Sequence, residues 1–226
     1  MLIIFDLDGT LINTIDDLGQ ACNHALSACG FPTHKIEDYP RLVGNGINRL
    51  IERALPEEHR EEATVLRLRE HFVSYYDAHN CDLTRPYDGI SELLAGLKSA
   101  GHSLAVASNK YQAATEKIVA QLFPNIFDVV LGERENVARK PDPQIVYDII
   151  NSLEDGSKAA YSLELNGKYL YVGDSLVDAN TARAAGCTLA LCTWGFEKKE
   201  LLSAFKPDFL IDQPKEILEI INSFDK

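Results

Sequence analysis

The feature that most constrains this chain is its opening stretch, where a short apolar run is followed at once by two aspartates and a bend. Leu2–Phe5 are four successive apolar residues, Asp6 and Asp8 come next, and Gly9-Thr10 forms the bend. Such a run, bounded by turn-forming residues, is typical of a parallel strand covered on both faces. Ligands bind beyond the carboxyl ends of such strands in open α/β sheets. The sequence therefore predicts a functional site at Asp6 and Asp8.

The two aspartates are spaced so that their charges repel one another. Residues two apart on an extended chain point to the same face, and adjacent carboxylates destabilise each other unless a cation or a proton intervenes. Such a pair indicates a function. The alternative is that these acids only cap the next helix, which Thr14, Asp16 and Asp17 could do equally well from closer positions.

Length and charge limit the classes of protein that the chain can belong to. With 226 residues, of which 46% are hydrophobic, it can form one sizeable domain or a main domain with a small accessory one. A net charge of -12 argues against nucleic acid or an anionic membrane as partner, because both need Lys and Arg to neutralise phosphates. The same charge suits a site that recruits a divalent cation.

The cysteines and the apolar runs predict a cytoplasmic protein. The five cysteines show no C-x-x-C spacing and stand mostly among apolar residues, as buried thiols in a reducing compartment do. The opening apolar run is too short for a signal peptide, and no segment has the roughly 20 apolar residues of a membrane span. We expect a monomer or a homodimer.

Helix and strand patterns divide the chain into an inserted helical segment and an alternating remainder. Three stretches with helical spacing follow the first strand, and a Pro/Gly break at 84–89 ends them. Residues 13–84 are therefore predicted to form an all-helical cap domain. Strands and helices alternate downstream, which predicts an α/β core, a doubly wound, Rossmann-like parallel sheet built from 1–12 and 85–226. Residues 154–168 are interpreted as a polar excursion from this core.

Polar residues also follow the later predicted strands. These groups are Ser108-Asn109-Lys110, Arg139-Lys140-Pro141-Asp142-Pro143, and Gly173-Asp174-Ser175 with Asp178. Parallel strands place their carboxyl ends at one edge, so the four acids Asp6, Asp8, Asp174 and Asp178 would share one crevice. Sites rich in oxygen favour Mg²⁺, which keeps some waters and accepts a substrate phosphate. Lys140 and the Ser108 hydroxyl would hold the remaining phosphate oxygens.

These motifs, in this order, resemble those of the haloacid dehalogenase superfamily of phosphatases over nearly the whole chain. The four matching segments are residues 5–11, Ser108-Asn109, Lys140-Pro141 and residues 173–178. The helical insertion resembles the superfamily's class 1 cap, which closes over small soluble substrates. Within the superfamily the chain is most similar to phosphoglycolate phosphatases, through residues 43–46, 85–89 and 140–143. Pyrophosphatases and broad sugar-phosphate phosphatases share parts of those segments.

The resemblance implies a phosphatase that acts on a small phosphorylated metabolite. Asp6 would attack phosphorus and form an aspartyl-phosphate. Asp8 would protonate the leaving group and then activate the water that hydrolyses the intermediate. Lys140 would balance the charge that develops during phosphoryl transfer.

The resemblance also implies the binding residues. The Mg²⁺ ligands would be Asp6, Asp8 through its backbone carbonyl, Asp174 and Asp178, the last either as a ligand or as an anchor of the others. The phosphate-binding residues would be Thr10, Ser108, Asn109 and Lys140. In the cap, Gly44-Asn45-Gly46 could point backbone N–H groups at a substrate carboxylate, with Arg49 or Arg41 adding charge. The alternative is that these residues only form a turn before a helix.

Three other functions compete with the phosphatase. A phosphoacceptor signalling domain also uses carboxylates, Mg²⁺ and a lysine, but it needs neither a second acid like Asp8 nor a helical cap. A dehalogenase attacks carbon and needs neither Asp8 nor Mg²⁺. A phosphomutase resembling β-phosphoglucomutase keeps all four motifs, and the sequence separates it poorly from a phosphatase.

Overall fold

The computed structural model describes residues 1–44, 46–155 and 169–224. The chain divides into two compact units, Met1–Ile12 with Pro86–Lys226, and Asn13–Arg85. Most of the polar excursion predicted for 154–168 lies outside the described residues. No helix in the described ranges is both long and apolar enough to cross a membrane.

Strands and helices alternate through most of the chain. The strands are β1 Leu2–Phe5, β2 Ile12–Asn13, β3 Arg85–Pro86, β4 Ser103–Tyr111, β5 Val129–Glu133, β6 Tyr169–Gly173, β7 Thr188–Cys192 and β8 Phe209–Ile211. The α-helices are α1 Ile15–Ala28, α2 Ile47–Ala54, α3 Glu62–His79, α4 Ile90–Ser99, α5 Gln112–Leu122, α6 Gln144–Asp155, α7 Leu176–Ala184, α8 Lys199–Ala204 and α9 Glu216–Phe224. Short 3₁₀ helices occupy Ile36–Arg41 and Glu57–His59.

The larger unit contains a six-stranded sheet in the order β5-β4-β1-β6-β7-β8. Every strand pair in it is parallel, and Phe5 at the end of β1 lies between Val106 of β4 and Val172 of β6. The predicted parallel α/β core is confirmed. The first strand is central because its residues are apolar on both faces: Ile3, Ile4 and Phe5 are wholly buried.

One face of this sheet packs on α6 and α7. The shared cluster consists of alternate residues of the strands, such as Leu2, Ile4, Ala105, Tyr171 and Leu191, together with Ile145, Val146, Ile149, Ala179 and Ala182 from the helices. Burial of this apolar surface fixes the strands relative to one another. The residues that follow β1, β4 and β6 are therefore carried on a rigid platform.

The smaller unit is helical, and a buried carboxylate joins its two ends. Asp17, in the first turn of α1, accepts hydrogen bonds from the Leu83 N–H, the Thr84 N–H at 2.8 Å and the Thr84 hydroxyl at 2.7 Å. Only 2% of Asp17 is exposed. This cluster holds the start of α1 against the segment that follows α3.

The cap of α1 differs from the prediction. Thr14 occupies the N-cap position, but its side chain makes no capping hydrogen bond. The Asn13 side chain instead accepts from the Ile15 N–H at 3.1 Å, and Asp16 lies inside the first turn. An Asn one residue earlier can reach the same unpaired N–H groups of the first turn. The side chain that caps the helix is therefore that of Asn13 and not that of Thr14.

Several short elements were not predicted from the sequence. They include β2, β3, the 3₁₀ helix Ile36–Arg41 and α8. Such short segments carry too few repeats for a helical or strand period to be recognised. Ser108-Asn109-Lys110, which were predicted to follow a strand, instead lie within β4, which extends to Tyr111.

Candidate active site

A tight loop follows β1 and carries the two aspartates of the first motif. The Asp6 N–H continues the sheet by donating to the Val172 carbonyl at 2.9 Å, and the Gly9 N–H donates to the Ile12 carbonyl at 2.9 Å. Gly9 has a φ of 89°, and a Cβ there would lie 2.3 Å from Asp174 Oδ2. Only glycine allows this backbone conformation and this close approach to a carboxylate.

Lys140 ties the Asp6 carboxylate to the rest of the site. Its Nζ donates to Asp6 Oδ1 at 2.8 Å, to the Ala107 carbonyl at 2.8 Å and to Asp178 Oδ1 at 2.7 Å. Only 2% of its side chain is exposed. All three donors of the ammonium are thus used inside the protein, so the position of the charge is fixed.

The Asp8 carboxylate has a lysine of its own. Lys110 Nζ lies 3.0 Å from Asp8 Oδ2, with 5% of the lysine side chain and 18% of the aspartate side chain exposed. The other oxygen, Oδ1, is buried and accepts no hydrogen bond from the described residues. The repulsion expected between the two aspartates is therefore relieved by two separate lysines.

Asp174, which follows β6, is held by the loop after β7. The Phe196 N–H donates to Asp174 Oδ2 at 2.8 Å, and the Thr10 hydroxyl donates to Oδ1 at 3.2 Å. Gly195 lets this loop approach, because a Cβ there would lie 2.3 Å from the Asp174 Cβ. In the same loop, Trp194 Nε1 donates to the Thr10 carbonyl at 3.0 Å.

Asp178 serves as the N3 residue of a capping box at the start of α7. Its Oδ2 accepts from the N–H and the hydroxyl of Ser175, and the Ser175 hydroxyl accepts from the Asp178 N–H. Its Oδ1 accepts from Lys140 and from the Tyr171 hydroxyl at 3.2 Å. Both oxygens are therefore committed to protein donors.

The three acids Asp6, Asp174 and Asp178 form a buried cluster. One oxygen from each lies within 4.8 Å of the others. Burial and the nearby Asp178 raise the pKa of Asp6 to about 7, against the opposing effect of Lys140. Burial also raises the pKa of Asp174 well above its ordinary value, with Asp178 and Asp6 adding to the effect.

Lys140 does not neutralise this cluster by itself. Burial alone would lower its pKa, but Asp178 and Asp6 together raise the pKa well above the ordinary value, so the lysine carries one positive charge. Three carboxylates against one ammonium leave an excess of buried negative charge. A hard divalent cation with oxygen ligands would remove that excess, so the residues fit Mg²⁺.

Stability is expected to depend on pH and Mg²⁺ together. Because the folded protein keeps a proton on Asp6 that the unfolded chain loses above about pH 4, the raised pKa makes the metal-free protein less stable as pH rises from 4 to 7. Mg²⁺ competes with that proton, so its stabilisation grows over the same range. At a hundredfold excess over Kd the gain is about 2.7 kcal/mol, or about 5 to 10 °C in Tm for a chain of this size.

The measurement is a series of melting curves in EDTA and in MgCl2 between pH 5 and 8. Asp174→Asn is the control variant, because it removes one carboxylate from the cluster and should lose most of the shift. An equal shift in that variant, or a shift that does not grow with pH, would contradict a metal site at this cluster.

The second motif lies in a distorted part of β4. Ala107 pairs with Leu131 of β5 and Tyr111 with Glu133, so Ser108-Asn109-Lys110 bulges out of the ladder. The Asn109 side chain donates to the Lys140 carbonyl and accepts from the Lys140 N–H, both at 3.0 Å. The bulge thereby joins the second motif to the third. Ser108 is 2% exposed.

The cap loop belongs to the smaller unit. Gly44 and Gly46 have φ values of 108° and 83°, and Gly46 precedes the first residue of α2. Arg49 pairs with Glu52 on the same helix, whereas Arg53 donates to the carbonyls of Leu42 and Val43. Arg53 was absent from the predicted residues, although it is the arginine that holds this loop. Asn45 lies outside the described residues.

Four other residues of the larger unit were also missed as parts of the site: Lys110, Tyr171, Trp194 and Phe196. Lys110 was noted only as a neighbour of Ser108, and its position beside two motif residues was a usable signal. Trp194 and Phe196 were absent from the predicted residues. Phe196 acts through its backbone N–H, so its identity as a residue carries no signal.

Residues 3–192 match the family described as haloacid dehalogenase-like hydrolase. A protein of Aquifex aeolicus named phosphoglycolate phosphatase is 30% identical over 98% of this chain and 97% of its own length. A protein of the same name from Haemophilus influenzae strain 86-028NP is 32% identical over 97% of each chain. A crystal structure described as a predicted phosphoglycolate phosphatase from Haemophilus somnus superposes with a TM-score of 0.84, at 30% identity over 97% of each chain.

Proposed function

The chain belongs to the haloacid dehalogenase-like hydrolases, and we propose that it is a Mg²⁺-dependent phosphatase that hydrolyses 2-phosphoglycolate through an aspartyl-phosphate. The chain is a phosphatase by its relatives, which carry that name over nearly its whole length. The observation that carries the mechanism is the pair of carboxylates after β1, each held by a different lysine. One acid can then act as nucleophile while the other transfers protons.

Asp6 is the nucleophile in this proposal. Its Oδ1 is bound to Lys140, which leaves Oδ2 to attack phosphorus and form the acyl phosphate. The ammonium also lies where negative charge would gather on the transferring phosphoryl group. Lys140 is held by three acceptors, so it offers this charge without reorganisation.

Asp8 is the proton carrier. In the first step its protonated carboxyl gives a proton to the departing alkoxide, and in the second step the carboxylate takes a proton from the water that attacks the acyl phosphate. The side chain is partly exposed, unlike that of Asp178, so it can meet both a leaving group and a water molecule.

Asp6, Asp174 and the Asp8 backbone carbonyl would hold Mg²⁺, which when bound supplies charge for the phosphoryl oxygens. The sequence did not decide whether Asp178 is a metal ligand or a residue that holds the other ligands in place. Its two oxygens accept hydrogen bonds from Lys140, Tyr171 and Ser175, which supports the role of anchor.

The phosphate would be held at the carboxyl ends of β1 and β4. Ser108 offers a buried hydroxyl, Asn109 a backbone N–H in the bulge, and Lys140 its charge. Thr10 supports the site in another way, because its hydroxyl donates to Asp174.

The cap would set the choice of substrate. We assign this role to residues 13–84, with 1–12 and 85–226 as the catalytic core, and to the loop Gly44-Asn45-Gly46 with Arg49. Backbone N–H groups of a glycine-flanked loop can bind a carboxylate, which 2-phosphoglycolate has and simple sugar phosphates lack.

The test is phosphate release by the purified protein with Mg²⁺ or with EDTA. The substrates are 2-phosphoglycolate, pyrophosphate, sugar phosphates and nucleoside monophosphates. We expect the highest kcat/KM for 2-phosphoglycolate and no turnover in EDTA. Broad weak activity would keep the phosphatase and reject this substrate. Labelling by acetyl phosphate without turnover would favour the phosphoacceptor domain, and isomerisation of a sugar phosphate would favour the mutase.

A further inference from the structure

The structure assigns to Trp194 the role of a positioning residue for Asp174, which it exerts through Thr10. The indole N–H of Trp194 donates to the Thr10 carbonyl at 3.0 Å, and the Thr10 hydroxyl donates to Asp174 Oδ1 at 3.2 Å. The indole therefore holds the residue that in turn holds the carboxylate. This inference rests on the proposed function, because Asp174 is a ligand of Mg²⁺ in that proposal.

The loop that carries Trp194 also contacts Asp174 directly. Two residues further on, the Phe196 N–H donates to Asp174 Oδ2 at 2.8 Å. Between these two donors, Gly195 lies so close to the loop after β1 that a Cβ there would lie 2.5 Å from the Gly9 carbonyl oxygen and 2.4 Å from Asp174 Oδ2. The loop after β7 therefore packs against both the loop after β1 and the acid that follows β6.

The hydrogen bonds of Asp174 orient its carboxylate and still leave it able to bind a cation. Each of its oxygens accepts one hydrogen bond from the described residues, and a carboxylate oxygen has two lone pairs. Asp178, by contrast, accepts two hydrogen bonds at each oxygen. Asp174 is thus fixed at both oxygens and keeps one lone pair on each, as an oriented metal ligand requires.

The indole matters because the position of a side-chain hydroxyl depends on the backbone that carries it. Thr10 is wholly buried, and it follows Gly9, whose φ of 89° marks the bend of this loop. Without the indole N–H, the Thr10 carbonyl loses this donor, and the Thr10 hydroxyl can move away from Asp174. Residues that orient a metal ligand typically contribute about 10- to 100-fold to metal affinity. Loss of the indole N–H should therefore weaken metal binding although no ligand is removed.

The experiment measures metal affinity in Trp194→Phe, which keeps an aromatic ring but has no N–H. Metal-free protein is titrated with Mn²⁺ without substrate, electron paramagnetic resonance reports the free ion, and Mg²⁺ is then added as competitor. We expect the Kd of both ions to rise about 10-fold. Thr10→Val, which removes the hydroxyl, should raise Kd by at least as much. The double variant should match Thr10→Val alone, because the indole acts through that hydroxyl.

Tyr147→Phe is the matched control. The Tyr147 hydroxyl is also the donor of an aromatic side chain to a backbone carbonyl, that of Ala184 at 3.3 Å, and it lies at an exposed position on α6. This variant should bind both ions with the wild-type Kd. The fitted Kd does not depend on how much of a preparation is folded, since unfolded protein lowers only the number of sites. A poorly folding Trp194→Phe therefore still gives an answer.

The outcomes separate the inference from the function beneath it. A Trp194→Phe protein that melts earlier in EDTA but binds both ions with the wild-type Kd would overturn the positioning role. Losses that multiply in the double variant would overturn the route through Thr10. Both results would leave the phosphatase intact. A wild-type protein that binds neither ion would instead overturn the Mg²⁺ dependence in the proposed function.

Discussion

The Asp6→Asn variant is expected to lose at least about 10⁴-fold in kcat while remaining folded. An amide has the volume of the carboxylate but cannot form the acyl phosphate. In EDTA at pH 8, the same variant should be more thermally stable than the wild type. The charged form of Asp6 is disfavoured there by burial and by Asp178, so the neutral amide should raise Tm.

Initial rates of phosphate release and melting curves on the same preparations check both halves of this expectation. A second readout is the acyl phosphate itself, which hydroxylamine should cleave in the wild type and which should be absent from the variant. Asp16→Asn, at an exposed position in the first turn of α1, controls for the chemical change. Near-normal turnover in a well-folded Asp6→Asn protein would reject Asp6 as nucleophile.

The Lys140→Met variant is expected to lose both stability and activity. Removing the ammonium leaves Asp6 and Asp178 without the cation that binds them, in a cluster that also contains Asp174. Breaking a buried ion pair in this way costs about 3 to 5 kcal/mol, or about 10 °C in Tm for a chain of this size. The loss should be larger at pH 8 than at pH 5, since at low pH the cluster takes up protons. kcat should fall about 10²- to 10³-fold.

A double variant separates the two effects. Lys140→Met with Asp178→Asn removes one of the unpaired acids, so it should recover part of the stability but none of the activity. Lys98→Met removes a lysine from a more exposed pair, with 34% and 20% of the side chains exposed, and should cost less than about 1 kcal/mol. Equal losses in the two lysine variants would show that Lys140 is not holding the acid cluster together.

The strand ends could be predicted from sequence because simple rules govern them. Apolar runs mark buried parallel strands, and such strands end at one edge of a sheet. These two rules are enough to predict that four residues lie near one another: Asp6, Lys140, Asp174 and Asp178. The all-apolar run of β1 also predicted that it would be covered on both faces, as it is.

Other contacts in the site cannot be predicted from the spacing of residues along the sequence. The partnership of Lys110 with Asp8 follows from a bulge that places two extra residues in β4, and bulges have no reliable sequence signature. Asp174 accepts a hydrogen bond from the backbone N–H of residue 196, which any residue except proline could donate. The role of Asp178 depended on whether Ser175 and Tyr171 occupied its oxygens, which the sequence left open.

The central position of β1 has a consequence for how the chain is made on the ribosome. This strand precedes all the others, yet its neighbours in the sheet begin at Ser103 and Tyr169. During vectorial synthesis, the apolar segment that leads to Asp6 has no neighbour until β4 has emerged, and it gains its second neighbour only when β6 follows. The helical unit Asn13–Arg85 is complete before either neighbour has emerged and can fold first, because it forms a compact unit of its own. The strand that bears the chemistry is therefore unpaired, and open to mispairing and to chaperones, while the protein is still nascent.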